Sequence, residues 1–269
     1  VVLSWLPFCG KCCQCKKDRT HLCQTYQLAI SGGTMLDGSC RFTNNVGEVR
    51  QLGTLGCWSE HAVVPQECCV AISKKVPFSV AALLGCAVTT GVGAALNRAN
   101  VKSDDKVVII GMGGVGLSVL MGAKLRGAST IICIDLSKKV RKLAFSLGCT
   151  DFIIADQVID LAATIKEITG IGADHVFEAV GNRLLQQAAI DYCCPGGQVT
   201  YVGLDGPDAT IELKTTSITR NEKTITGSIY GSACTDRDFI IYAEKHVGKT
   251  CSNDEIPYDT PWLLNSNNV

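Results

Sequence analysis

Hydrophobic and polar positions change texture near Lys106. From there on, short β-branched runs alternate with stretches of helical period. "KVVIIG" is a continuous apolar run ending in glycine, which predicts a strand buried on both faces. "VGLSVLMGAKLRG" follows with apolar residues at helical spacing and a terminal glycine, predicting a helix. "TIICID" predicts a second strand, and "SKKVRKLAFSLG" a second helix with Ser137 as its N-cap. The alternation continues through "DFIIA", "VIDLAATIKEITG", "DHVFEAVG", "RLLQQAAIDYC", "GGQVTYVG" and "EKTITGSIYG". This order predicts an α/β fold, a doubly wound parallel sheet with right-handed crossovers.

Upstream, Val1 to Val76 has Gly, Cys and short β-prone runs such as "EHAVVP", with no sustained helical period, and predicts an irregular β domain. "VVLSWLP" reads as mid-strand and carries no basic n-region, so it is not expected to be a signal peptide. "VPFSVAALLGCAVTTGVGAALN" predicts a helix, a Gly-Cys turn and a second helix. Its apolar stretch, Ala81 to Leu96, is short for a membrane span and is expected to be buried. The expected division is residues 1–85, residues 86–249 and a divergent tail, 250–269.

Composition narrows the class. At 269 residues, two domains are expected. Lys+Arg and Asp+Glu both number 25, which argues against a nucleic-acid or anionic-membrane binder. The 16 cysteines sit in a long chain that is 46% hydrophobic, unlike a small disulfide scaffold, so a reducing, cytoplasmic setting is expected.

Two motifs carry chemistry. "GMGGVG", Gly111 to Gly116, follows a predicted strand and opens a predicted helix, and Asp135 ends the next strand 19 residues beyond Gly116. Gly111 permits a tight turn, Gly113 lets backbone approach a pyrophosphate, and Gly116 lets helix and strand pack closely. With Gly114 and Val115 they form a helix N-terminus offering free N–H groups to phosphates. Asp135 can accept both ribose hydroxyls and repels a 2′-phosphate, favouring NAD over NADP. The second motif is "CGKCCQCKKDRTHLC". Cys9, Cys12, Cys15 and Cys23, spaced x2, x2, x7, can close a tetrahedral zinc site of structural type. Cys13 competes with Cys12, and a four-cysteine pattern also admits an iron–sulfur site. No base-reading helix follows, which weakens a nucleic-acid finger.

The four-cysteine lobe, then "GCAVTTGVGAAL", then "GMGGVG" with its acid resembles the zinc-dependent medium-chain alcohol dehydrogenases over roughly Val1 to Thr250. The resemblance implies a Rossmann-type NAD-binding domain over 86–249 and a partial, mainly β, GroES-like catalytic domain over 1–85. It implies that Cys86 is one catalytic-zinc ligand, that Thr90 sits near the nicotinamide, and that Val180, Val202 and Leu204 line the nicotinamide ribose and ring. The remaining catalytic-zinc ligands, a Cys and a His followed by Glu, are expected upstream of Val1. His21, His61, His175 and His246 do not replace them, and no family-like return to the catalytic domain is found after Lys249. The function implied is hydride transfer between a primary alcohol or aldehyde and NAD, in a truncated chain inactive alone. The alternative is a non-catalytic NAD-binding fragment with only a structural zinc. A homodimer or homotetramer is implied for the parent, and Leu28, Gln51, Leu52 and Trp58 are expected to line what remains of the pocket.

Overall fold

The computed structural model describes residues 1–243. They fall into two compact units, Val1–Thr89 joined by the described residues from Ser232 on, and Thr90–Gly231.

In the first unit, β1 (Val2–Leu3) pairs antiparallel with β4 (Cys69–Val70), and β2 (Phe42–Asn44) with β3 (Gly47–Val49). "EHAVVP" is not a strand: residues 60–65 run as irregular chain with their side chains largely exposed. A helix the periodicity did not signal, α1 (Gln24–Gly32), follows the cysteine lobe. It buries only Tyr26 and Ala29, and ends at Gly33, whose φ of 64° supplies the left-handed cap.

The predicted helix–turn–helix is instead one helix, α2 (Phe78–Arg98). Its α-helical geometry widens to π over Leu84–Val88 and again over Ala94–Arg98. The Gly85–Cys86 pair therefore falls inside the first widened turn, not in a break. The helix is long and apolar enough to cross a membrane by composition, yet 56% of its apolar window is buried, as in a core helix.

The second unit is a six-stranded, wholly parallel sheet: β5 (Lys106–Ile110), β6 (Thr130–Asp135), β7 (Asp151–Ile154), β8 (Ala173–Glu178), β9 (Cys193–Tyr201) and β10 (Thr224–Gly227). The spatial order is β10-β9-β8-β5-β6-β7, the doubly wound arrangement whose strand order reverses between β5 and β8. Helices α3 (Gly114–Leu125), α4 (Arg141–Ser146), α5 (Leu161–Thr169), α6 (Arg183–Tyr192) and α7 (Thr215–Arg220) connect the strands. Alternate β5 residues feed two cores: Val107 and Ile109 join Leu120, Ile131 and Phe177, while Val108 and Ile110 join Ile132, Ile165 and Val176. Burial on both faces explains the continuous apolar runs. Ser137 caps the turn before α4, accepting from Lys139 N at 3.3 Å, and Asn182 caps α6.

The chain re-enters the first unit sooner than the sequence division at 249 expects. Helix α8 (Thr235–Tyr242) buries Phe239 and Tyr242 there, packed near β4. Thr20 Oγ1 donates to Ala233 O (3.3 Å), and Arg237 pairs with Asp18 (3.8 Å). A return to that unit therefore does begin, in sequence too polar and short to carry a period. The 250–269 tail and His246 lie outside the described residues.

Candidate functional site

The candidate dinucleotide turn stands at the carboxyl ends of β5 and β8, where the strand order reverses. Gly111 leaves β5 with φ of 89°, its N–H donating to Ile134 O at 2.8 Å. A Cβ on Gly116 would overlap the Gly111 carbonyl oxygen, so helix α3 meets the turn backbone to backbone. A Cβ on Gly113 would meet nothing within 4 Å. The open space lies beside the first turn of α3, where Gly114, Val115 and Gly116 present N–H groups, and it fits an approaching pyrophosphate. Asp135 accepts from Met112 N (2.8 Å) through one oxygen and from Ser137 N (2.7 Å) through the other. Its carboxylate is thereby fixed at the end of β6 with lone pairs to spare for a ribose. Val180 and Leu204 are exposed at the ends of β8 and β9, and Val202 is half-buried between strand and core.

The four-cysteine lobe is a closed donor set. The ligand atoms of Cys9, Cys12, Cys15 and Cys23 all lie within 4.8 Å of one another. Cys12 Sγ is 3.5 Å from Cys15 Sγ and 4.0 Å from Cys23 Sγ. A tetrahedral site with Zn–S bonds of about 2.3 Å requires sulfurs about 3.8 Å apart. Gly10, at φ of 69°, turns the chain so that Cys12 N donates to Cys9 Sγ (3.3 Å). Thr25 Oγ1 and Cys9 N donate to the Cys9 and Cys23 sulfurs at 3.2 and 3.3 Å. The Thr25 hydroxyl, with the Lys11 backbone, pulls the Cys9 thiol down to about 6, while burial and the neighbouring Cys12 push Cys15 up to about 12. A dication among the four sulfurs would offset that crowding of thiolates. Cys13 points outward and meets Gln24 Oε1 at 3.1 Å.

Cys86 is exposed in the first π turn of α2, and Thr90 is half-buried one turn on. The preceding Thr89 is buried and donates to Leu84 O at 2.7 Å. Among the described residues, the lobe is the single group of three or more metal donors gathered around one point, and Cys86 is not in it. Of the pocket candidates, Leu28, Leu52 and Trp58 are exposed, but Gln51 is buried, donating to Thr54 O at 3.0 Å. Its Nε2 is held by the loop, while its Oε1 is buried and accepts no hydrogen bond among the described residues.

Residues 114–244 match the zinc-binding dehydrogenase family profile. The alcohol dehydrogenase class-3 of Dictyostelium discoideum is 32% identical over 260 residues, covering 95% of this chain and 68% of that protein. The chain belongs to the zinc-dependent medium-chain alcohol dehydrogenase family. Another member, the S-(hydroxymethyl)glutathione dehydrogenase of Saccharomyces cerevisiae, is 39% identical over 241 residues, 87% of this chain. The crystal structure of benzyl alcohol dehydrogenase from Acinetobacter calcoaceticus superposes with a TM-score of 0.80 at 30% identity, over 88% of this chain and 64% of that one. The chain spans 61% of the yeast relative's length. Family membership accounts for the α/β sheet, the glycine turn and the cysteine lobe occurring together.

One buried acid beside the glycine turn was not singled out in the sequence. Glu178 closes β8 fully buried, and the only signal for it was an acid at the end of an apolar strand.

Proposed function

We propose that this chain is the dinucleotide-binding and structural-zinc part of an oxidoreductase that moves hydride between a primary alcohol or aldehyde and NAD. The observation that carries the proposal is the empty volume over Gly113, beside the α3 N-terminus and the fixed Asp135 carboxylate. In this proposal Gly111, Gly113, Gly114, Val115 and Gly116 receive the pyrophosphate, and Asp135 the adenosine ribose. Val180, Val202 and Leu204 hold the nicotinamide half, with Thr90 near it. Cys9, Cys12, Cys15 and Cys23 hold a structural zinc, and Cys86 is one ligand of a catalytic zinc. When bound, the zinc supplies Lewis acidity toward the alcohol oxygen and the nicotinamide a hydride acceptor. The chain's own part is to orient the dinucleotide by N–H groups and strand ends, and to fix the lobe.

Cys86 stands apart from any group of three donors among the described residues. These 269 residues are therefore proposed to bind one zinc and one NAD without turning over alcohol. The division into residues 1–85, 86–249 and 250–269 is kept as a functional proposal, with the return of α8 to the first unit marking where it needs refinement. A cytoplasmic setting and a homodimer or homotetramer of the parent accord with the thiol-rich composition and with β10 as an edge strand of the sheet. The test is zinc content together with equilibrium binding of NAD and NADP by the purified chain. One zinc, with NAD bound in preference to NADP, supports the proposal; absence of dinucleotide binding would overturn it.

A further inference from the structure

The cradle has a buried support that belongs to neither motif. Glu178 is fully buried at the last position of β8. Its Oε1 accepts from the N–H groups of Val180 and Gly181, both at 2.9 Å. Its main-chain carbonyl accepts from the N–H groups of Val202 and Gly203, also at 2.9 Å. Gln186 on α6 bridges the two halves, donating to Glu178 Oε2 (3.4 Å) and to Gly203 O (3.2 Å). One residue thus ties the chain leaving β8 to the chain leaving β9.

The segments it ties have no slack. A Cβ on Gly181 would overlap Leu204 O, a Cβ on Gly203 would overlap Gly181 N, and a Cβ on Gly111 would overlap the Val180 side chain. The turns after β8 and β9 therefore meet backbone to backbone, and the Gly111 turn is packed against the Val180 side chain. Among the described residues no cationic side chain pairs with Glu178. A buried carboxylate satisfied only by N–H donors is costly to keep. A chain that needed only to join two strands could use apolar packing there. What the carboxylate adds is directional: charge-assisted bonds that hold two successive N–H groups in one orientation.

We infer that Glu178 is a positioning residue for the nicotinamide half of the dinucleotide, acting through Val180, Gly181 and Gly203 without touching the ligand. The inference rests on the dinucleotide assignment above. It separates the two halves of the site: the glycine turn and Asp135 serve the ADP half, and Glu178 serves the other. ADP-ribose, which lacks the nicotinamide, is therefore the discriminating probe.

The experiment is calorimetric titration of the full chain with NAD and with ADP-ribose, for the native protein, Glu178→Ala, Glu178→Gln and Gln186→Ala, with a melting curve for each. Losing the shared acceptor of two successive N–H groups predicts that Glu178→Ala weakens NAD about ten-fold while ADP-ribose stays within about two-fold. Glu178→Gln, which keeps an oxygen for those donors, recovers most of the NAD affinity. Gln186→Ala gives a smaller loss, about three-fold, again for NAD alone. If Glu178→Ala does not fold, Gln186→Ala decides the matter by its NAD-to-ADP-ribose contrast, with Glu178→Gln as the folded control. Equal losses for both ligands, or undiminished NAD binding in the folded variants, overturn the positioning role. A native chain that binds neither ligand overturns the dinucleotide assignment itself, a different result.

Discussion

At the scale of single residues, two neighbouring glycines do opposite jobs. Gly113 has an ordinary negative φ and open space where a side chain would go, whereas a Cβ on Gly116 would overlap the Gly111 carbonyl. Gly113→Val should leave the melting temperature of the chain nearly unchanged while lowering NAD affinity about ten-fold or more, because the new side chain fills the pyrophosphate's place. Gly116→Ala should destabilise the fold by about 1–3 kcal/mol in denaturant unfolding, whether or not a ligand is present. Two adjacent cysteines divide in the same way. Cys12→Ser should strip the bound zinc, since its sulfur stands 3.5 and 4.0 Å from two other donors. Cys13→Ser, outside the cluster and bonded to Gln24, should retain zinc in a chromophoric release assay. Asp135→Ser should lower the preference for NAD over NADP at least about ten-fold in paired titrations, since the charge that repels a 2′-phosphate is gone.

At the scale of elements, α2 departs most from the pattern along the chain. "LLGC" looks like a break because glycine and cysteine both rank low in helix propensity. The helix continues by widening its turn instead, and Thr89 donates to Leu84 O across that turn at 2.7 Å. Thr89→Val keeps the shape and removes the hydroxyl, so it should cost about 1 kcal/mol of stability by chemical denaturation. An unchanged midpoint would mean that the widened turn does not rely on that bond. The sheet was legible for the reason α2 was not. Strands buried on both faces must be continuously apolar, and each βα turn carries glycine or a capping residue such as Ser137 or Asn182. Helix α1 left little trace because it buries only Tyr26 and Ala29, too few positions to set a period. "EHAVVP" misled because its valines are β-branched yet packed against nothing that would make a sheet. In the site, the glycine turn and the lobe were visible because their chemistry fixes spacing. Glu178 was not, since its partners are backbone N–H groups that no sequence pattern marks.

At the scale of the whole molecule, the proposal puts one binding centre in each compact unit, the cysteine lobe in the first and the dinucleotide turn in the second. The lobe is bonded to the returning chain through Thr20–Ala233 and Asp18–Arg237. Chelation of the zinc should therefore raise hydrogen exchange over 233–242 as well as over 9–23, while exchange in β5, β6 and β8 stays as it was. Loss of protection confined to 9–23 would show that the lobe does not hold the return. NAD should have the reciprocal effect, protecting 110–117 and 178–186 and leaving the lobe untouched. The most direct test of the account is native mass spectrometry of the purified 269-residue chain with NAD added. The account predicts a single dominant stoichiometry per chain, one zinc and one dinucleotide, with the zinc lost in Cys12→Ser and the dinucleotide lost in Gly113→Val. A chain that carries no zinc, or that gives no dinucleotide adduct at saturating NAD, would contradict it.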